Sequence, residues 1–215
     1  MKTLKTLTVV FMAGMLTVAC KNEKKDDIQL EGNTTVEGEI SEVSNADGMN
    51  DAAMKEKMDE ETEAARANSI AGLAQVNADL SSLTMVLQSA QLDTMLMKPG
   101  SYTVFAPSNH AFEKLPEKTR QELMLPENKA ELTSVLQYHV APGRITSDKL
   151  DMAIKNGGGE YTFKTVNGDE LTAMKNGDQI VIKDGRGKKA QVIKGNVEAS
   201  NGIVYIIDDV LMAKK

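Results

Sequence analysis

After Gly157-Gly158-Gly159 the apolar residues of this chain stop recurring every three or four positions and begin to alternate. That change of period commits the C-terminal part to strands joined by tight turns. Tyr161–Val166 and Glu170–Ala173 flank Asn167-Gly168, a pair whose tolerance of positive φ makes it a strong hairpin signal. Gln179–Lys183 and Lys189–Ile193 flank Asp184-Gly185-Arg186-Gly187, and Val197–Ala199 and Ile203–Ile207 flank Ser200-Asn201-Gly202. Three hairpins in succession predict antiparallel sheet.

Ahead of the glycines the period is helical. Leu83, Val86, Leu87 and Ala90 fall at i, i+3, i+4 and i+7, with Ser81 and Ser82 where a cap is expected. Leu132, Val135 and Leu136 form a second stripe that runs into Tyr138-His139-Val140 and stops at Pro142-Gly143. Between the stripes, Pro99-Gly100 breaks the chain and Tyr102–Phe105 reads as a short strand ended by Ala106-Pro107. A turn at Ser108-Asn109 then leads into a short helix through Ala111, Phe112 and Leu115. Helices first and strands last predict an α+β domain over 69–213 rather than a parallel α/β sheet.

Charge divides the rest of the chain. The body from Ser69 onwards carries 17 basic and 17 acidic side chains, whereas residues 21–68 carry 6 basic and 14 acidic ones. That acidic stretch buries too little apolar surface to offset the entropy of ordering, so 20–68 is expected to be a tether, with 52–67 a solvated helix at best. Residues 1–19 have the plan of a secretory signal: Lys2 and Lys5, then an apolar run from Leu7 to Leu16, then small residues. The run is shorter than the roughly 20 residues that a bilayer-spanning helix needs.

The only cysteine, Cys20, ends this leader, and Leu16-Thr17-Val18-Ala19-Cys20 resembles the bacterial lipobox. The resemblance implies acylation of Cys20 and a membrane anchor, each buried CH₂ contributing ~0.8 kcal/mol. Residue 21 is Lys rather than Asp, which implies the outer membrane. Lys21-Asn22-Glu23-Lys24-Lys25-Asp26-Asp27 resembles the acidic stretch that sends some lipoproteins to the cell surface; a periplasm-facing location is the alternative.

Composition removes several chemistries. Two histidines and one cysteine leave little for a His/Cys metal site, so no metal and no cofactor are expected. No Trp, 4% aromatic residues and a net charge of −6 argue against a nucleic-acid partner. There is no Gly-x-Ser-x-Gly elbow, phosphate-cradling glycine loop or HExxH, and acylation would occupy the only thiol. A non-enzymatic protein is expected, with no catalytic residues.

Three blocks in order resemble the fasciclin domain family. The first is Thr103–Phe112, containing Phe105, Pro107, Asn109 and Phe112; the second is Tyr138-His139; the third is Asn196–Leu211, containing Asn201 and Gly202. The resemblance implies two packed β-sheets, sandwich-like, with helices along one side, in an extracellular or surface-attached protein concerned with adhesion. Phe105 and Phe112 are expected in the core, Pro107 at a strand end, and Asn109 on turn backbone. Asn201-Gly202 is expected to supply the positive φ of a tight hairpin. His139 is read as a buried imidazole tying a helix end to a strand; Tyr138 and His139 as a contact surface is the alternative, because this region of animal relatives is linked to integrin recognition.

The function expected is a lipid-anchored adhesion or interaction module binding a protein or polysaccharide of the envelope or matrix. The alternative is a small or lipid-like ligand held in a cleft between sheet and helices, which a deep apolar pocket with converging polar groups would favour.

Overall fold

Every residue of Gly202–Ile207 is buried, so this strand has apolar core on both of its faces. That is why Ile203-Val204-Tyr205-Ile206-Ile207 is an unbroken apolar run instead of an alternating one. The computed structural model describes residues 48–214 and builds the remainder of the body around this strand. In chain order the helices α1 (Gly48–Ala67), α2 (Ile70–Val76), α3 (Ser81–Ala90) and α4 (Asp93–Met97) precede strand β1 (Tyr102–Pro107). Helices α5 (Asn109–Glu113), α6 (Glu117–Met124) and α7 (Lys129–Tyr138), strand β2 (Val140–Pro142) and helix α8 (Ser147–Asn156) follow. The chain ends with β3 (Glu160–Lys164), β4 (Glu170–Asn176), β5 (Gln179–Lys183), β6 (Lys189–Ala199) and β7, the strand described above.

The strands form one seven-stranded sheet in the order β2-β1-β7-β6-β5-β4-β3. Its two ends meet: just past β3, the Val166 N–H donates to the Val140 carbonyl of β2 at 2.7 Å, so the sheet is nearly closed into a barrel. Two packed sheets were expected, and β6 explains the difference. It is one strand of 11 residues where two short ones were expected. Its register slips between Val192 and Lys194 and again before Val197, and Asn196 takes φ +56°. A bulge of that kind bends a strand and sharpens its twist, so one sheet turns the corner without splitting.

All neighbouring strands are antiparallel except β1 and β7, which run parallel from Tyr102↔Gly202 to Pro107↔Ile207. Side chains of this central pair alternate between two cores. Val104, Ala106, Val204 and Ile206 face a cluster that includes Leu83, Val86 and Leu87 of α3 and Leu132 and Leu136 of α7. Phe105, Ile203, Tyr205 and Ile207 face the other cluster, with Leu150 and Ile154 of α8. There Phe105 stacks between Phe163 and Tyr205 at centroid distances of 5.6 and 5.5 Å. Helices α2 to α7 thus lie on one face of the sheet, while α8 inserts its apolar stripe on the other side. Leu150, Ala153 and Ile154 fall at i, i+3 and i+4 of α8, and Thr146 caps the helix, its Oγ1 accepting from the Lys149 N–H.

Candidate functional site

Tyr138 and His139 stand at the C-terminal end of α7, where the helix runs straight into β2. Both are inside: Tyr138 is 0% and His139 2% exposed. The Tyr138 hydroxyl donates to the Glu170 carbonyl at 2.9 Å and accepts from the Gly185 N–H at 2.8 Å. It joins the end of α7 to the start of β4 and to the β5–β6 turn. Burial pushes its hydroxyl pKa up, against the opposing effect of the Gly185 bond.

His139 Nδ1 lies 2.7 Å from the Val135 carbonyl, and Nε2 accepts from the Leu211 N–H at 3.0 Å. Those partners assign the proton to Nδ1. Burial lowers the imidazole pKa to about 4, although the Val135 bond and the charge of Asp184 both push it upward. Asp184 is itself buried and is held by three amides: Oδ1 accepts from Arg186 and Lys188, and Oδ2 from Met212. His139 and Asp184 therefore lash the segment after β7 across the second core, through Leu211 and Met212. With both ring nitrogens on backbone, His139 has no atom left to present to a partner, and neither motif residue contributes surface.

The first block is equally internal, though Asn109 works differently from the expectation. Instead of its own turn, it serves α3: Oδ1 accepts from the Ser82 N–H at 2.9 Å and from the Ser81 hydroxyl at 3.2 Å. Its Nδ2 donates to the Ala78 carbonyl at 2.8 Å. Helix α3 has Leu80 at its N-cap and so no side-chain cap of its own, and the cap expected of Ser81 and Ser82 comes from across the fold. Ser108 caps α5 by accepting from the Ala111 N–H. Pro107 is the last residue of β1, Phe105 is fully buried, and Phe112 is half-buried at the edge of the first core.

Asn201 and Gly202 require a correction. Neither has a positive φ. Asn201 is 3% exposed; its Oδ1 accepts from the Ile70 N–H at 2.9 Å and its Nδ2 donates to Leu96 and Lys98 carbonyls at 2.6 and 2.9 Å. One amide thereby closes the start of α2 and the end of α4. Gly202 is needed for space, since a methyl group there would lie 2.1 Å from the Tyr102 carbonyl oxygen. Sequence reasoning also missed Arg144, whose Nη2 donates to the Ala199 and Gly202 carbonyls on either side of this turn. No local pattern around Pro142-Gly143 signals that contact.

The interior between sheet and helices holds a cavity of only about 20 Å³, lined by Ile70, Leu83, Leu96, Phe105 and their neighbours. That is room for about one water and not for a ligand. Among the described residues no group of three His, Cys, Asp or Glu side chains is placed to hold a metal ion. Also among them, no single helix is long and apolar enough to cross a membrane. His110 is exposed, with Nδ1 3.3 Å from Glu113. Cys20, the leader and the first part of the acidic stretch lie outside the described residues.

Comparison with known proteins matches residues 78–213 to the family model described as Fasciclin domain. Protein sll1483 of Synechocystis sp. is 38% identical over 148 residues, covering 68% of this chain and 74% of its own. The immunogenic protein MPB70 of Mycobacterium bovis is 36% identical over 148 residues, 66% of this chain and 68% of its own. The cell surface glycolipoprotein MPB83 of the same organism is 34% identical over 158 residues, 67% and 64%. Among solved structures, the FAS1 domain pair of the insect cell adhesion molecule fasciclin I superposes with a TM-score of 0.62 at 19% identity. It covers 67% of this chain, which spans about half (51%) of the domain pair. At that identity the likeness establishes the fold alone.

Proposed function

This chain belongs to the fasciclin domain family, and we propose that it is a lipid-anchored, non-enzymatic adhesion or interaction module of the cell envelope. The observation that carries the reading is the engagement of the signature side chains. The polar atoms of Tyr138, His139, Asn109 and Asn201 all bond within the fold, so these residues maintain a filled scaffold and leave recognition to its outer surface. Similarity to a cell surface glycolipoprotein and the shared fold of an adhesion molecule support display outside the cytoplasm.

In this reading acylated Cys20 fixes the protein to the outer membrane, and the acidic stretch after it holds the body away from the lipid. Confinement to a surface raises effective concentration, so weak contacts with an envelope protein or polysaccharide add up by multivalency. Fractionation tests the anchor: wild-type chain is expected in the membrane pellet and Cys20→Ser in the soluble fraction. Cells displaying the protein should bind matrix-coated surfaces better than cells expressing Cys20→Ser. Equal adhesion of the two strains, with display verified by protease shaving, would remove the adhesion reading.

A further inference from the structure

Helix α1 leaves the body alongside a groove of about 660 Å³. Met58, Thr62 and Ala65 of α1 line it together with Met97 and Pro99 from the end of α4 and its exit. The Ser200-Asn201 turn ties the two sides together: the Ser200 hydroxyl donates to the Ala65 carbonyl, and Asn201 Nδ2 to the Lys98 carbonyl. A size of this order falls in the range of small-molecule sites, roughly 300–1,000 Å³.

The lining contains polar residues, yet their hydrogen-bonding donors are already engaged by backbone carbonyls of the fold. Thr62 donates to the Met58 carbonyl, Thr94 to the Gln91 carbonyl, and Ser200 and Asn201 to the carbonyls already named. What remains is an apolar trough with three charged groups, Glu61, Arg66 and Lys98, none in an ion pair among the described residues. A peptide laid here would leave its own backbone N–H and C=O groups without partners, which is costly. An acyl chain has no such groups. The excess of cations over Glu61 selects an anionic head, and a guanidinium can bind a carboxylate through two N–H groups at once.

We propose that this groove binds a single-chain fatty carboxylate, its hydrocarbon against Met58, Ala65, Met97 and Pro99 and its head at Arg66 and Lys98. Binding at this groove stands or falls independently of whether the body also mediates adhesion.

The test uses the full chain carrying Cys20→Ser, so that no attached acyl group competes, labelled with ¹³C at the methionine methyls. Sodium dodecanoate, kept below its micellar concentration, should shift the Met58 and Met97 resonances saturably. Met85, Met124 and Met152, exposed elsewhere, should not move. Replacing Arg66→Gln and Lys98→Gln together should weaken binding by about tenfold or more, as should exchanging dodecanoate for dodecyltrimethylammonium. Met58→Asp, a change at an exposed position that puts a carboxylate in the trough, should abolish it. The proposal is overturned by the absence of a saturable shift at Met58 and Met97, by parallel shifts of all exposed methionines, or by equal affinity for the cationic amphiphile.

Discussion

His139 Nε2 accepts a hydrogen bond from the backbone N–H of Leu211, 72 residues further along the chain, and both residues are buried. The same ring holds the last turn of α7 through Nδ1 and the Val135 carbonyl. Protonation would set an N–H against the Leu211 N–H, so the bond exists only with the neutral imidazole.

That relationship predicts a pH dependence of stability. The folded imidazole takes up a proton only near pH 4, whereas in the unfolded chain it does so near 6.5. Between those values the unfolded state binds more protons, so the contribution is complete above pH 6.5 and is lost as pH falls towards 4. The full effect is on the order of 3 kcal/mol. His139→Gln should flatten this part of the stability profile in urea titrations at several pH values. Identical slopes for wild type and His139→Gln would refute the assignment.

At neutral pH, His139→Ala should lower stability by about 1–3 kcal/mol, because the buried Leu211 N–H loses its acceptor. His110→Ala, at an exposed position, should stay within about 0.5 kcal/mol. Thermal melting of the pair checks the difference.

Asn201 joins α2, α4 and β7 through three hydrogen bonds. Asn201→Ala should therefore cost about 3 kcal/mol or more, as buried backbone groups lose their partners. Asn201→Asp should not rescue it, since a carboxylate cannot donate to the Leu96 and Lys98 carbonyls. A denaturation midpoint for Asn201→Asp close to that of wild type would show that donation is dispensable.

Two glycines should respond for different reasons. Gly202→Ala forces a methyl into the Tyr102 carbonyl and should destabilise by roughly 1–3 kcal/mol through displacement of β1. Gly168 has φ +91° with open space around it, so Gly168→Ala should cost about 1 kcal/mol from backbone conformation alone. Amide exchange should rise across β1 only in the first variant.

Asn109 caps a helix 27 residues earlier in the chain. Asn109→Ala should cost about 1 kcal/mol and speed amide exchange at Ser82, whereas Ser81→Ala should change either quantity little. A larger effect for Ser81→Ala than for Asn109→Ala would place the cap where the local sequence suggests.

The stripe Leu83, Val86, Leu87 and Ala90, the hairpin at Asn167-Gly168 and the change of period after Gly157 were all legible in the sequence and appear as α3, the β3–β4 hairpin and the strand-rich C-terminal part. These are local properties, written in residues three or four apart on a helix or two apart on a strand. The parallel pairing of β1 with β7 was not legible, because neither strand carries a mark of its partner. The two roles of Asn109 and Asn201 were hidden for a related reason. A side-chain amide reads as a turn residue from its neighbours, whereas the partners it serves lie 27 and 131 residues away. The near-closure of one sheet goes with a bulge around Asn196, a residue type that tolerates the left-handed backbone found there but does not by itself announce it. Periodicity thus determined the α+β class of the fold. Only tertiary structure decided which polar atoms were engaged inside and which surface was left apolar, because hydrogen-bond partnership is settled by distance in space.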